Sequence, residues 1–400
     1  MQKYLPKHLA KKSIALPSIS LAKDKKDWRE KPTSWPDIRK NTQYGHIYLL
    51  VDTRYPIGFI ATAIDGYSVK IDGIIYGYYA NNAQFSIANW ADYTATEGYT
   101  IDCPVGATKA HIIDICPLAE NENITAFNCA RVAASGTEAQ GVLWIHFNIT
   151  NRIQPAFLIG RSGQFTNTLA KAITAKNNVL NVSSNMNSLA FGATSLEYIC
   201  TIDGNNETIQ CASSFAGTSL LSKVVIKNLK MTATNSTSLF YNSKVKDVFF
   251  HNVDTSSVSN FTNFFALATN IEKLPNGMDL SSSTNMTSFL QNNIYLKDTV
   301  LDVSSVDGLT RIGCYGNASN FISGLKGLRV SEQAPFNNAT APQINVSYTG
   351  MDRNALVQLF NDLPSVSAGQ IISIVGATGA GDLTAEDEAI ATNKGWTITK

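Results

Sequence analysis

Paired cysteines, long apolar runs and clustered histidines are all missing from this sequence. Its six cysteines (Cys103, Cys116, Cys129, Cys200, Cys211, Cys314) form no C-x-x-C pair, which removes the usual zinc and thiol-redox spacings. Reduced, half-buried thiols are the expectation, and the even spacing of Cys103, Cys116 and Cys129 matches no ligand geometry. The five histidines (His8, His46, His111, His146, His251) stand singly, so only folding can gather them around an ion. His111 and His146 are expected on neighbouring strands, facing solvent or satisfying a backbone group. No apolar run approaches the ~20 residues of a membrane span. The single candidate signal core, residues 13–22, is broken by Pro17, Ser18 and Ser20 and followed by Lys23-Asp24-Lys25-Lys26 in place of a small-residue cleavage site. The chain therefore reads as neither secreted nor membrane-inserted.

Catalytic signatures are equally sparse. No G-x-S-x-G elbow is present. Gly376-Ala377-Thr378-Gly379-Ala380-Gly381 follows an expected strand and precedes a helix, but Asp382 and Leu383 stand where a phosphate loop needs Lys and Ser/Thr, and Asp382 would repel phosphate. The segment reads as a turn into an N-cap, with Thr384 and Asp387 supporting the helix start. A glycosidase pair would have to come from Asp203, Asp254, Asp279 and Asp302, which follow strand-like runs where Asp normally closes a turn. No catalytic, cofactor-binding or metal-binding residue is assigned.

What is there is a chain of 400 residues, 44% hydrophobic and 16% charged, enough to bury a sizeable core in two or three parts. Charge is uneven. Residues 1–40 hold nine Lys and two Arg against four carboxylates, a net +7, whereas the whole chain is +1 and the body after residue 40 is mildly acidic. That acidic body disfavours nucleic-acid binding. Ten N-x-S/T sequons, such as Asn181-Val182-Ser183 and Asn285-Met286-Thr287, follow from the richness in Asn, Ser and Thr and are not read as glycosylation sites.

Four parts are expected. Residues 1–45 form a basic extended arm with Pro6, Pro17, Pro32 and Pro36; Trp28, Trp35, Pro36 and Ile38 are its anchoring candidates, because an isolated arm would not keep such groups exposed and they should pack on another domain or subunit. Residues 46–164 read as an antiparallel β-sandwich. Phe59, Ala61 and Ala63 alternate up to Asp65-Gly66, Tyr67, Val69 and Ile71 alternate up to Asp72-Gly73, and Asp-Gly between alternating runs signals a hairpin. Further strands are expected at 110–115 and 142–149, with Leu143, Ile145, Phe147 and Ile149 on one face.

Residues 165–349 carry an internal repeat. Aliphatic pairs recur as Leu196 and Ile199, Leu221 and Val224, Val245 and Val248, Ile271 and Leu274, and a looser Leu296 and Val300, with first positions 25, 24, 26 and 25 residues apart. Each pair follows another large apolar residue: Leu189, Phe215, Leu239, Phe264 and Phe289. This period predicts a leucine-rich-type solenoid whose units bury their apolar faces against one another. Residues 350–400 are expected as a small α/β cap: a helix N-capped by Asp352 with Leu356, Leu359, Phe360 and Leu363 on one face, a strand at 371–375, a short helix at 385–393 and a last strand at 396–398.

The run Thr255-Ser256-Ser257-Val258-Ser259-Asn260-Phe261-Thr262-Asn263-Phe264-Phe265, followed by Asn270-Ile271-Glu272-Lys273-Leu274 and recurring as Ser283-Thr284-Asn285-Met286-Thr287-Ser288-Phe289-Leu290, resembles the BspA-like leucine-rich repeat of bacterial surface antigens and phage adhesins. The usual Leu-x-x-Leu-x-Leu strand is here often reduced to two apolar positions. Asp27-Trp28-Arg29, Trp35-Pro36-Asp37-Ile38, Ile47-Tyr48-Leu49-Leu50-Val51-Asp52, Gly66-Tyr67-Ser68-Val69-Lys70-Ile71-Asp72-Gly73, Ala88-Asn89-Trp90 and Lys394-Gly395-Trp396-Thr397-Ile398-Thr399 are similar to segments of tail-fibre-like and other structural proteins of Bacteroidales phages, including crAss-like phages. The resemblance implies a non-enzymatic virion protein without cofactor. It would be anchored to other virion proteins by its N-terminal region, form a homo-oligomer, and offer a repeat surface to a host glycan or protein. The alternatives are a decoration or packing protein and a polysaccharide depolymerase.

Overall fold

The computed structural model describes residue 28 and residues 31–103, 106–129, 141–160, 169–233, 236–367 and 369–400. Most of the basic arm, His8 included, lies outside the described residues. The chain is mainly β, 36% strand against 7% helix, and contains a β-solenoid of about nine turns.

In chain order the N-terminal strands are β1 (His46–Asp52), β2 (Ile57–Thr62), β3 (Tyr67–Ile71), β4 (Ile74–Tyr79), β5 (Gln84–Ile87), β6 (Tyr99–Cys103), β7 (Gly106–Pro117), β8 (Ala126–Asn128) and β9 (Val142–Asn148). The repeat region adds β10 (Ala172–Ala175), β11 (Val179–Asn181), β12 (Tyr198–Ile199), β13 (Thr201–Ile209), β14 (Lys223–Met231), β15 (Asp247–Asp254), β16 (Asn285–Met286), β17 (Thr299–Val303), β18 (Arg311–Gly313), β19 (Leu325–Val330) and β20 (Ile344–Asn345). The C-terminal segment holds α1 (Arg353–Asp362), β21 (Gln370–Ser373), α2 (Ala385–Thr392) and β22 (Trp396–Thr399).

Two sheets build the N-terminal part. The larger runs β12-β10-β9-β1-β7-β3-β4, with β6 also on β7, and the smaller is β5-β2-β8. Asp72-Gly73 makes the expected hairpin: both residues have positive φ (49° and 86°), as a type I′ turn requires, and β3 pairs antiparallel with β4. The same dipeptide at Asp65-Gly66 does not. Only Gly66 is left-handed there (φ 90°), and the turn carries the chain from β2 in the small sheet to β3 in the large one. The expected single face for Leu143, Ile145, Phe147 and Ile149 is likewise corrected. The register of β1 on β9 slips between Leu50, opposite Trp144, and Val51, opposite Val142, so Leu143 is a bulge residue turned to the side opposite Ile145.

Beyond β9 all ladders between named strands are parallel. Ile202 pairs with Ile226, Val224 with Val248, Leu301 with Leu328, Ile312 with Ile344 and Ile372 with Ile398. One apolar core runs without a break from Ile47 to Trp396. Leu196, Ile199, Leu221, Val224, Val245, Val248, Phe264, Ile271, Phe289 and Leu296 are all buried in or against it, as are Leu189, Phe215 and Leu239; Leu274 is half-buried, and Val300 is exposed. The boundary expected near 164 falls at residues outside the description, but β10 pairs directly with β9, so both parts share a sheet.

The turns are held by more than strands. Ser188, Ala190 and Gly192 donate their N–H groups to the carbonyls of Ala212, Ser214 and Ala216, and Ser213, Phe215 and Gly217 do the same to Thr237, Leu239 and Tyr241 one turn later. The row continues through Phe240 to Phe264 and Phe265 to Phe289. Each such tract is bracketed by two left-handed residues: Ser188, Ser213, Ser238, Asn263 and Ser288 at its start, and Gly192, Gly217, Asn242, Leu267 and Asn292 at its end. Inside, Phe240 stacks on Phe215 and Phe265 at 5.5 Å each.

In the C-terminal segment Asp352 accepts the Ala355 N–H at 2.9 Å and caps α1, whose Leu356, Leu359 and Phe360 are buried. Thr384 and Asp387 form the capping box of α2. β21 and β22 extend the parallel ladder from β20. The glycine-rich stretch at 376–381 is a turn in which Gly379 lies so close to Arg353 that an added Cβ would sit 2.0 Å from its backbone nitrogen.

Candidate binding surface

Stacking in register converts each repeat position into a row along the solenoid. The residue after four of the five first core positions gives charges of alternating sign, with Ser222 after Leu221 as the exception: Glu197 follows Leu196, Lys246 follows Val245, Glu272 follows Ile271 and Lys297 follows Leu296. Lys171 pairs with Glu197 at 2.6 Å, and Glu272 lies between Lys246 at 2.9 Å and Lys297 at 2.6 Å. Hydrogen bonds from Lys297 and Lys246 pull the Glu272 carboxyl down to about 2. Backbone bonds run through the same row, Glu197 N–H to Lys171 O and Lys297 N–H to Glu272 O.

A second row crosses β13, β14 and β15. Asp203 is opposite Lys227, and Lys227 opposite His251. Lys227 Nζ is 3.0 Å from Asp203 Oδ2. Burial pushes the Asp203 carboxyl up, but the Asn205 N–H together with Lys227 and Asn228 outweighs it and holds the group below the usual carboxylate range. Beside this row Phe249 is 41% exposed, stacks with His251 at 6.3 Å and carries the Lys223 ammonium 5.2 Å above its ring. Asn206, Asn228 and Asn252, all left-handed, gather at the adjoining kink, where Asn252 Nδ2 donates to Asn206 Oδ1 at 3.0 Å and to Asn228 Oδ1 at 3.1 Å. Amides, a cation and an aromatic face therefore lie side by side on a stiff sheet, a combination that can hydrogen-bond and stack against a polar ligand. Leu220 and Tyr295, at equivalent positions before Leu221 and Leu296, are 54% and 57% exposed.

No family model matches this chain, and neither does any curated protein or solved structure.

The aspartates singled out in the sequence close turns. Asp203, Asp254, Asp279 and Asp302 accept the N–H groups of Asn205, Ser256, Ser281 and Ser304 at 2.9–3.0 Å. Five sequon asparagines do the same: Asn260, Asn285, Asn317, Asn338 and Asn345 each accept the N–H two residues on, from Thr262, Thr287, Ser319, Thr340 and Ser347. In these five the N-x-S/T pattern is a turn signature, a physical origin that composition did not reveal.

Of the two outcomes expected for the anchoring candidates, packing on another part of the chain is the one seen. Trp28, Trp35 and Ile38 are buried on the chain's own large sheet, with Tyr48, Leu50, Ile101, Leu143 and Trp144, while Pro36 is half-buried. Arg39 adds its guanidinium 5.2 Å over the Trp144 ring. These apolar groups are spent within the chain, so any docking on a neighbour falls to other residues. Four of the exposed apolar groups of this part, Ile74, Ile75, Tyr76 and Tyr78 at 45–66% exposed, cluster on β4, an edge strand, while Tyr44, Ile64, Tyr99 and Leu118 are exposed singly elsewhere.

Nor are His111 and His146 on neighbouring strands: β1 separates β7 from β9. His111 Nδ1 meets Asp72 Oδ2 at 2.6 Å and His146 Nδ1 meets Thr174 Oγ1 at 3.0 Å. Folding instead assembles a group that no spacing announced. His46, Asp114 and Cys116, from β1 and β7, place their ligand atoms within 4.8 Å of one another. None of the six cysteines is in a disulfide.

Proposed function

We propose that this chain is a non-enzymatic structural protein of a phage-type particle, in which the N-terminal β-domain attaches to neighbouring subunits and the solenoid presents a surface to a host glycan or protein. The observation that carries the reading is the row of β13, β14 and β15, where Phe249, His251, Lys227 and the Asn206, Asn228 and Asn252 amides stand outward from a sheet fixed on its other side by buried Val224, Ile226 and Val248. A preorganised face of this kind costs little ordering on binding. Repetition of the chain on a symmetric particle makes weak single contacts effective together. The kinship of the repeat with BspA-like leucine-rich units, the sandwich reading of the two N-terminal sheets and the capping role of 350–400 belong to the same proposal. The exposed edge strand β4 supports attachment to another subunit, because an apolar edge without charge is prone to pair.

The test is binding of the full chain to bacterial cells and to isolated surface polysaccharide, compared with a Phe249→Ala/His251→Ala variant. Polysaccharide-competed binding that the variant loses supports the reading. A chain that ignores cells and binds only particle proteins is a packing or decoration element, and release of reducing ends from the polysaccharide would turn the reading toward a depolymerase.

A further inference from the structure

We propose that His46, Asp114 and Cys116 form a binding site for a borderline-soft divalent transition-metal ion such as Zn²⁺, completed by water. The three side chains come from the two central strands of the large sheet. Ile47 pairs with Ile115 and Tyr48 with Asp114, so His46 and Cys116 lie across from each other at the next step, and Asp114 is diagonal to His46 and two residues before Cys116 on the same strand. All three share the face that carries Tyr48 and Leu50, away from Ile47 and Leu49. A third strand supports the site from the far side, where Ser68 is opposite Cys116 and Lys70 opposite Asp114.

The donor set has the chemistry such an ion selects. It comprises an imidazole nitrogen, a carboxylate oxygen and a sulfur, and with the thiol ionised the two anionic ligands balance a divalent charge. Bond lengths of about 2.0–2.3 Å at tetrahedral angles put ligand atoms roughly 3.3–3.6 Å apart. Here His46 Nδ1 and Asp114 Oδ1 are 2.8 Å apart and the whole trio falls within 4.8 Å, so small side-chain rotations bring the three onto one centre. The Tyr48 ring, stacked on the His46 ring at 6.0 Å and fixed by its hydroxyl accepting the Gln43 N–H at 2.7 Å, orients the imidazole. His46 and Cys116 are buried while Asp114 is only half-buried, which leaves a route in and room for the water. On binding, the Cys116 thiol gives up its proton to solvent, and the bound ion replaces the His46–Asp114 pair as the link between strands.

The discriminating experiment titrates the full chain with Co²⁺, a spectroscopic stand-in for Zn²⁺, and follows the near-ultraviolet thiolate-to-metal charge-transfer band. One equivalent with that band, its loss in Cys116→Ala, weakening beyond about tenfold in His46→Gln, the order found on losing even an outer-shell partner, and displacement by Zn²⁺ are the expected results. Lys70→Gln removes a competing cation and tightens binding. A Co²⁺ spectrum without the band, or one unchanged in Cys116→Ala, overturns the proposal. If the His46 or Cys116 variant does not fold, Lys70→Gln decides: tighter binding supports the site, and unchanged or weaker binding overturns it.

Discussion

Trp35 donates its indole N–H to the carbonyl of Asp102 at 3.0 Å, across a sequence separation of 67 residues. The Asp102 N–H in turn donates to Ser34 Oγ at 2.9 Å, so the segment ahead of β1 is stitched to the edge of β6 at two adjacent points. With Trp35 and Ile38 each 2% exposed, this segment is packed onto the large sheet.

Trp35→Ala is therefore expected to cost about 3–5 kcal/mol through lost burial. Trp35→Phe keeps most of the apolar area but leaves the Asp102 carbonyl without its indole donor, a loss of about 1–2 kcal/mol. Urea unfolding midpoints should fall below the wild type's, further for Trp35→Ala than for Trp35→Phe, and midpoints equal to the wild type's would show that the segment contributes nothing.

Within the solenoid, Phe240 lies between Phe215 and Phe265 and is fully buried, whereas Phe249 points outward. Truncating Phe240 to Ala should cost about 3–5 kcal/mol, and truncating Phe249 no more than about 0.5 kcal/mol. Thermal melting of both variants reads the difference.

Leu267 holds a left-handed backbone (φ 61°) at the position that Gly192, Gly217, Asn242 and Asn292 occupy in other turns. A branched hydrocarbon side chain is strained there, and asparagine is much less so. Leu267→Asn should raise stability by roughly 1 kcal/mol. A lower melting temperature would mean that the half-buried leucine side chain contributes more packing than its backbone loses.

His146 supplies a pH dependence. Burial, followed by the nearby Arg39, lowers its pKa from 6.5 to about 4. The unfolded chain takes up this proton as pH falls through 6.5 while the folded chain resists until about 4, so stability drops across that window and levels off below it. The full effect is on the order of 3 kcal/mol. Subtracting the profile of His146→Gln from that of the wild type, by chemical unfolding between neutral and acid pH, should leave this step; a flat difference would refute it.

The parts of this fold that were legible in the sequence are those where burial is periodic along the chain. Leu196, Leu221, Val245, Ile271 and Leu296 repeat because each must meet the equivalent residue of the next turn, and all five are buried. The row of left-handed residues was equally available, since glycine and asparagine mark it at 192, 217, 242 and 292, but its meaning depends on backbone bonds between turns. Asp65-Gly66 and Asp72-Gly73 are identical pairs with different outcomes, decided by which sheet receives the next strand. Leu143 obeys alternation on paper and breaks it in the sheet, because a bulge is set by the partner strand. The His46, Asp114 and Cys116 group could not be found by spacing at all, since 68 residues separate His46 from Asp114.

β10 lies in parallel register on β9, Ala172 against Trp144 and Ala175 against Phe147. Mechanically, this seam means that the repeat array is not hung from the N-terminal part on a tether. A tug or twist on the distal coils arrives at β1 as shear across ranks of backbone bonds, so the chain transmits torque as well as tension and bends as one beam.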